Sequence, residues 1–168
     1  SLAFGTLKPI IDTDALNMIQ QRQIEMTLDV MSSSLLYWTQ DLYHAGLLQK
    51  GSQIFAMTSS GGRRQWKSYG AVSGAKASLE SYCRQIAVEL SCLGIAANSI
   101  QAGITETPAL KKIPGNEKMI RNAKKINPGG RITVPEDVAK SIAMLGLSEE
   151  SWLTGNTIRV DGGEDIIC

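Results

Sequence analysis

The 168-residue chain is long enough for one domain with a sizeable core, and 43% hydrophobic and 20% charged residues are ordinary for a globular protein. A formal net charge of +1 gives no global attraction to nucleic acid or an anionic membrane, and Arg63-Arg64, Lys111-Lys112 and Lys124-Lys125 read as solvated surface pairs. Three cysteines without a CxxC pair, a single histidine (His44) and no apolar run of ~18 residues exclude a disulfide framework, a metal site, a Ser-His-Asp triad and a membrane span, so a reducing cytoplasm is expected.

In chain order, residues 1–4 (SLAF) read as the end of a strand, with turn and helix-start chemistry supplied by Pro9 and by Asp12-Thr13-Asp14. Ile24, Leu28, Met31, Leu35, Trp38 and Leu42 recur at helical spacing, which predicts one long helix or two joined ones closing near Gly46 and Gly51. Residues 52–58 (SQIFAMT) read as a buried strand ahead of the Ser59-Ser60-Gly61-Gly62 loop. A helix over 69–93 is predicted by the stripe Ala71, Ala75, Leu79, Tyr82, Ile86 and Leu90, with Gly94 placed to end it. Residues 95–100 are a strand candidate entering the Ala102-Gly103 turn. Residues 104–131 hold three prolines and three glycines without a clean period, so a mobile binding loop with one short helix is expected. Thr133-Val134-Pro135-Glu136 has the form of a capping box opening a helix to about Gly146, and residues 156–161 (NTIRVD) read as a last strand. The alternation predicts an α/β fold with parallel strands and helical crossovers.

In such a sheet ligands bind beyond the carboxyl ends of the strands, here Thr58-Ser59-Ser60-Gly61, Gln101-Ala102-Gly103-Ile104-Thr105 and Asp161-Gly162-Gly163. Tyr69 and Lys76 are seven positions apart, which returns them to within ~20° of one helix face, separated by about 10 Å along the axis. A ligand lying along that face could touch both. The phenol can donate a proton to a developing enolate oxygen, and the ammonium can hold hydroxyls and lower the phenol's pKa.

These segments resemble a known family. Thr58-Ser-Ser-Gly61, Tyr69-Gly-Ala-Val-Ser-Gly-Ala-Lys76-Ala-Ser-Leu-Glu80, Ala87-Val-Glu-Leu90, Asn98-Ser-Ile-Gln-Ala-Gly103-Ile-Thr105-Glu-Thr107 and Gly155-Asn-Thr-Ile-Arg-Val-Asp161-Gly-Gly163 occur in the order found in short-chain dehydrogenases/reductases. Most members place the tyrosine four residues before the lysine, where this chain has Val72. The Tyr-x6-Lys spacing and Ala102-Gly103 in place of Pro-Gly are similar to enoyl-acyl-carrier-protein reductases. The chain departs from many of these at Ser59, where they carry a second tyrosine.

The resemblance implies a Rossmann-like doubly wound parallel sheet, of which residues 1–168 would form a single domain holding only the C-terminal portion, strands 4 to 7 with their helices. About a hundred residues with the glycine-rich dinucleotide turn would precede Ser1. It implies NADPH- or NADH-dependent reduction of trans-2-enoyl thioesters on acyl carrier protein or coenzyme A, in fatty-acid synthesis. Tyr69, Lys76 and Ser59 would be catalytic. Lys76, Gly103, Ile104, Thr105, Thr107 and Ala3 would bind cofactor, and the 104–131 loop would cover the acyl chain. A homotetramer is also implied, with Tyr37, Trp38 and Trp152 as interface candidates. The alternatives are a carbonyl or hydroxyl oxidoreductase, which Val72 cannot serve as proton donor, and a non-catalytic, oligomer-forming remnant.

Overall fold

The computed structural model describes residues 4–148 and 152–167. Three parallel strands, β1 (Gln53–Ser59), β2 (Ala96–Ala102) and β3 (Thr157–Val160), lie in the order β1-β2-β3. Gln53 pairs with Ala96 and Ser99 with Thr157, so the three carboxyl ends fall on one side. Of the strand end expected at residues 1–4, three residues lie outside the described part, Ala3 among them, and Phe4 is exposed coil.

Helices α1 (Gln21–Leu28) and α2 (Ser34–His44) run into one another through a π-helical segment, Asp29–Ser33. A π turn carries one more residue than an α turn. After it α2 buries none of its residues, and Tyr37, Trp38 and Tyr43 stand 49%, 64% and 46% exposed. The long helix α3 (Gly70–Leu90) packs between this helical pair and the sheet. Its Leu79, Cys83, Ile86 and Ala87 meet Ala56 of β1 and Ala97 of β2, with Leu35, Leu36, Ile54 and Leu90 at the margin. Full burial of each large side chain here contributes about 1.5–3 kcal/mol.

Small residues let β2 sit at the centre: Ala96, Ala97, Asn98 and Ser99 are all at most 1% exposed. The polar ones are satisfied, as burial requires. Asn98 Nδ2 donates to the Leu153 carbonyl at 2.6 Å, and its Oδ1 accepts the Asn156 N–H at 3.1 Å. The turn before β3 is thus stitched to the sheet.

Residues 104–131 hold two helices rather than one, α4 (Pro108–Lys111) and α5 (Asn116–Ile126). Helix α6 (Pro135–Gly146) begins and ends as expected, but by a different cap. The Asp137 carboxylate accepts the Val134 N–H at 3.0 Å and is clamped by Arg131 at 2.6 Å. Thr133 is instead buried, its N–H given to the Ile104 carbonyl at 3.1 Å.

Candidate active site

The chain leaves β1 at Ser59 and turns through Ser60–Gly62 before reaching α3. This turn is packed closely against the Tyr69 ring at the start of that helix. A Cβ on Gly61 would lie 2.6 Å from Cε1 of Tyr69 and 3.2 Å from Ser59 Oγ, so only glycine lets the phenol and the serine hydroxyl share that space. Ser68, just before the tyrosine, has φ 64°, and Tyr69 itself sits at φ −101°, ψ 2°. A non-glycine residue in the left-handed region followed by one in the bridge region is a costly local arrangement, of the sort that gathers at functional sites. The Tyr69 N–H donates to the Trp66 carbonyl at 3.1 Å, and its carbonyl accepts the Ser73 N–H at 2.8 Å, which fixes the backbone under the ring.

Burial pushes the Tyr69 phenol above its ordinary range, and the Ser59 hydroxyl opposes that rise. Relief from the Lys76 charge is not what the geometry provides, because two helical turns separate the pair. Ser59 Oγ is itself buried and makes no hydrogen bond among the described residues. A buried hydroxyl without a partner beside a protonated phenol is an arrangement that an incoming oxygen can complete.

Lys76 projects from α3 onto β1, where Nζ donates to the Met57 carbonyl at 2.7 Å. Two of the three ammonium donors remain for other partners. Burial pulls its pKa below the ordinary value, and the Glu80 carboxylate opposes that. Tyr69 and Lys76 therefore lie on one helix beside the end of β1, as their spacing predicts.

The expected contacts after β2 are more constrained. Gly103 has no room for a side chain: a Cβ would clash with Thr133 Oγ1 and lie 3.1 Å from Asp161 Cα. The Ile104 N–H donates to Glu164 Oε2 at 3.1 Å, so its donor is held by a carboxylate from the turn after β3. Burial raises the Glu164 pKa, with the Ile104 N–H opposing and Asp161 adding to the rise. Thr105 Oγ1 donates to the Gly103 carbonyl at 2.9 Å, while Thr107 caps α4 by accepting the Leu110 N–H at 3.1 Å.

The structure also brings in residues that periodicity gave no reason to single out. The Trp66 indole donates to the Pro114 carbonyl at 2.9 Å and ties the loop before α3 to the turn between α4 and α5. Asp165, 3% exposed at its side chain, receives Arg63, Arg64 at 2.8 Å and Arg159 at 3.5 Å, together with the Gln101 amide at 3.0 Å. A cleft of about 430 Å³ beside this cluster is lined by Arg63, Glu80, Gln101, Thr157 and Arg159. Among the described residues no group of histidine, cysteine and carboxylate side chains could hold a metal.

A phenol, a lysine and an orphaned hydroxyl at the carboxyl end of a parallel half-sheet define a site of the dehydrogenase type. Residues 2–164 match the family described as enoyl-(acyl carrier protein) reductase. The chain is 28% identical over 156 residues to the enoyl-acyl-carrier-protein reductase (NADH) of Escherichia coli K12, covering 93% of this chain and 59% of that protein. It is 32% identical over 125 residues to the 1-cyclohexenylcarbonyl-CoA reductase of Streptomyces collinus, 73% of this chain and 44% of the relative. The crystal structure of the Bacillus cereus enoyl-acyl carrier protein reductase with NADP+ and indole naphthyridinone superposes with a TM-score of 0.80 at 28% identity, over 89% of this chain and 57% of that one. The chain belongs to the enoyl-acyl-carrier-protein reductase family of short-chain dehydrogenases/reductases, and it spans between two fifths and three fifths of the length of these relatives.

Proposed function

We propose that this chain supplies the active site of a nicotinamide-dependent reductase that converts a trans-2-enoyl thioester, carried on acyl carrier protein or coenzyme A, to the saturated acyl thioester. The observation that carries the reading is the half-buried phenol of Tyr69 beside the unpartnered hydroxyl of Ser59. A phenol held above its ordinary pKa stays protonated at neutral pH, which suits it to hydrogen-bond an oxygen on which negative charge grows.

The nicotinamide, when bound, supplies a hydride to the β-carbon of the enoyl group. Tyr69 would meet the thioester oxygen as the enolate forms, stabilise it and protonate it, with Ser59 as a second donor. Lys76, anchored at Met57, would hold the ribose hydroxyls with its two remaining N–H groups. The backbone at Gly103 and Ile104 would meet the carboxamide once Glu164 turns aside, and Thr105, Thr107 and Ala3 complete the proposed cofactor contacts. Helices α4 and α5 would cover the acyl chain. Both NADH and NADPH fit this reading, because the relatives include both cofactor types.

A carbonyl reductase is disfavoured by a specific side chain. Val72 occupies the position such enzymes give to tyrosine, and it is 4% exposed, packed with Met31 and Ala75. A homotetramer in the cytoplasm belongs to the same proposal, supported by the exposed Tyr37, Trp38 and Trp152 and by the absence, among the described residues, of a helix able to cross a membrane. The test is NADH and NADPH oxidation with crotonyl-CoA and with an enoyl-acyl carrier protein. Substrate-dependent oxidation that disappears in Tyr69→Phe supports the reading. No turnover with either carrier in a folded protein overturns it in favour of the non-catalytic remnant.

A further inference from the structure

Lys76 and Glu80 stand one turn apart on α3, where side chains four positions apart are neighbours. Both reach onto β1 at successive residues. Lys76 Nζ donates to the Met57 carbonyl at 2.7 Å, and Glu80 Oε1 accepts the Thr58 hydroxyl at 2.6 Å. The turn after β1 presses on the same stretch, since a Cβ on Gly62 would lie 3.1 Å from Glu80 Oε1 and 3.5 Å from the Lys76 Cβ. Thr58 is 4% exposed, so the carboxylate is tied to a buried, immobile donor.

We infer that Glu80 is a positioning residue whose carboxylate, fixed by Thr58, keeps Lys76 a cation at the end of β1. The inference rests on the reading of Lys76 as the residue that holds the cofactor's ribose. Burial alone favours the neutral amine, which has one donor fewer and no charge to offer. Glu80 is the charged group that opposes this among the described residues.

Other groups face Glu80 as well. Cys83 lies on α3, Arg63 comes from the turn after β1, Gln101 from β2, and Thr157 and Arg159 from β3. The two arginines could divert the carboxylate's field, but both are ion-paired with Asp165. Glu80 is thereby left to Lys76.

The test is the pH dependence of Lys76 acylation by acetic anhydride, followed peptide by peptide in the wild type, Glu80→Gln, Glu80→Asp and Thr58→Val. Glutamine can still accept the Thr58 hydroxyl, so this change removes charge and leaves the contact. The Lys76 midpoint should fall by about one pH unit, a tenfold rise in acylation at fixed pH below the midpoint. Glu80→Asp should return most of the shift. An unchanged midpoint in folded Glu80→Gln overturns the inference. If that variant does not fold, Thr58→Val is read instead, because it keeps the charge but unties it; a midpoint equal to the wild type there overturns the positioning role. Acylation needs no turnover. A shifted midpoint in a protein that reduces no enoyl thioester would sink the reductase reading and leave the Glu80–Lys76 coupling standing.

Discussion

Gly61→Ala should injure catalysis far more than stability. The added methyl would sit 2.6 Å from Tyr69 Cε1, where ordinary contact begins near 3.4 Å, so the ring has to retreat by about 0.8 Å. The retreat is resisted, because Tyr69 packs against the Met31, Val72 and Ala75 cluster and its backbone is pinned at both Trp66 and Ser73. Overpacking of this kind costs about 1–3 kcal/mol, which lowers Tm by roughly 3–10 °C in a chain of this size. A misplacement approaching 1 Å at a reacting group can cost ~10²-fold in turnover. Gly74→Ala is the matched control, since a Cβ there meets nothing within 4 Å; it should leave turnover intact and raise stability by up to ~1 kcal/mol. Enoyl-dependent NAD(P)H oxidation and a thermal melt on both variants decide the matter. A Gly61→Ala protein with turnover within threefold of wild type refutes the placement of the Tyr69 ring as the reacting group.

Tyr69→Phe should lower kcat by ~10²–10⁴-fold with cofactor affinity nearly unchanged. Lys76→Ala should weaken cofactor binding, read by nicotinamide fluorescence titration, and an unchanged affinity would remove the ribose assignment. Asp165→Ala strips one buried carboxylate from three half-exposed arginines and from Gln101, so the urea midpoint should fall by the equivalent of about 2–3 kcal/mol. A raised Glu164 pKa means that the folded state binds the proton more tightly than the unfolded one. Stability from this group is therefore complete below its ordinary pKa and is lost as pH rises through the folded value. Glu164→Gln removes that loss, so its Tm relative to wild type should climb between pH 4 and pH 8, and a difference that stays flat would contradict the burial argument.

Much of the fold was legible in the sequence wherever a local pattern decides the structure. The β1 strand, the α3 stripe and the Gly94 stop come from periods of 2 and 3.6 and from turn chemistry, and the Tyr69–Lys76 spacing located the site. The cap of α6 shows where such reasoning thins. Thr133-x-x-Glu136 has the right letters, yet Thr133 is drawn into pairing with Ile104 and Thr105, and Asp137 takes over because Arg131 can brace it. The region 104–131 lacked a period because α4 is only four residues long and its Thr107 cap lies next to a proline. Glu164 on the Ile104 N–H and the Trp66–Pro114 bond join residues 60 and 48 positions apart. No window along the chain holds both partners of either contact.

The π-helical segment Asp29–Ser33 carries a consequence for how this helix tolerates change in length. Its surplus residue is absorbed locally, so everything from Ser34 onward is rotated by about 100° relative to a continuous α-helix. Removing a single residue within Asp29–Ser33 could leave a smooth helix of nearly the same reach, but with its far half turned. Leu35 and Leu36 would swing off the Leu79–Ile86 core, while a different pair of residues would be presented to it. One codon therefore separates two helices that are alike in composition and opposite in what they show to solvent. The aromatic face at Tyr37 and Trp38 depends on that codon as much as on the aromatic residues themselves.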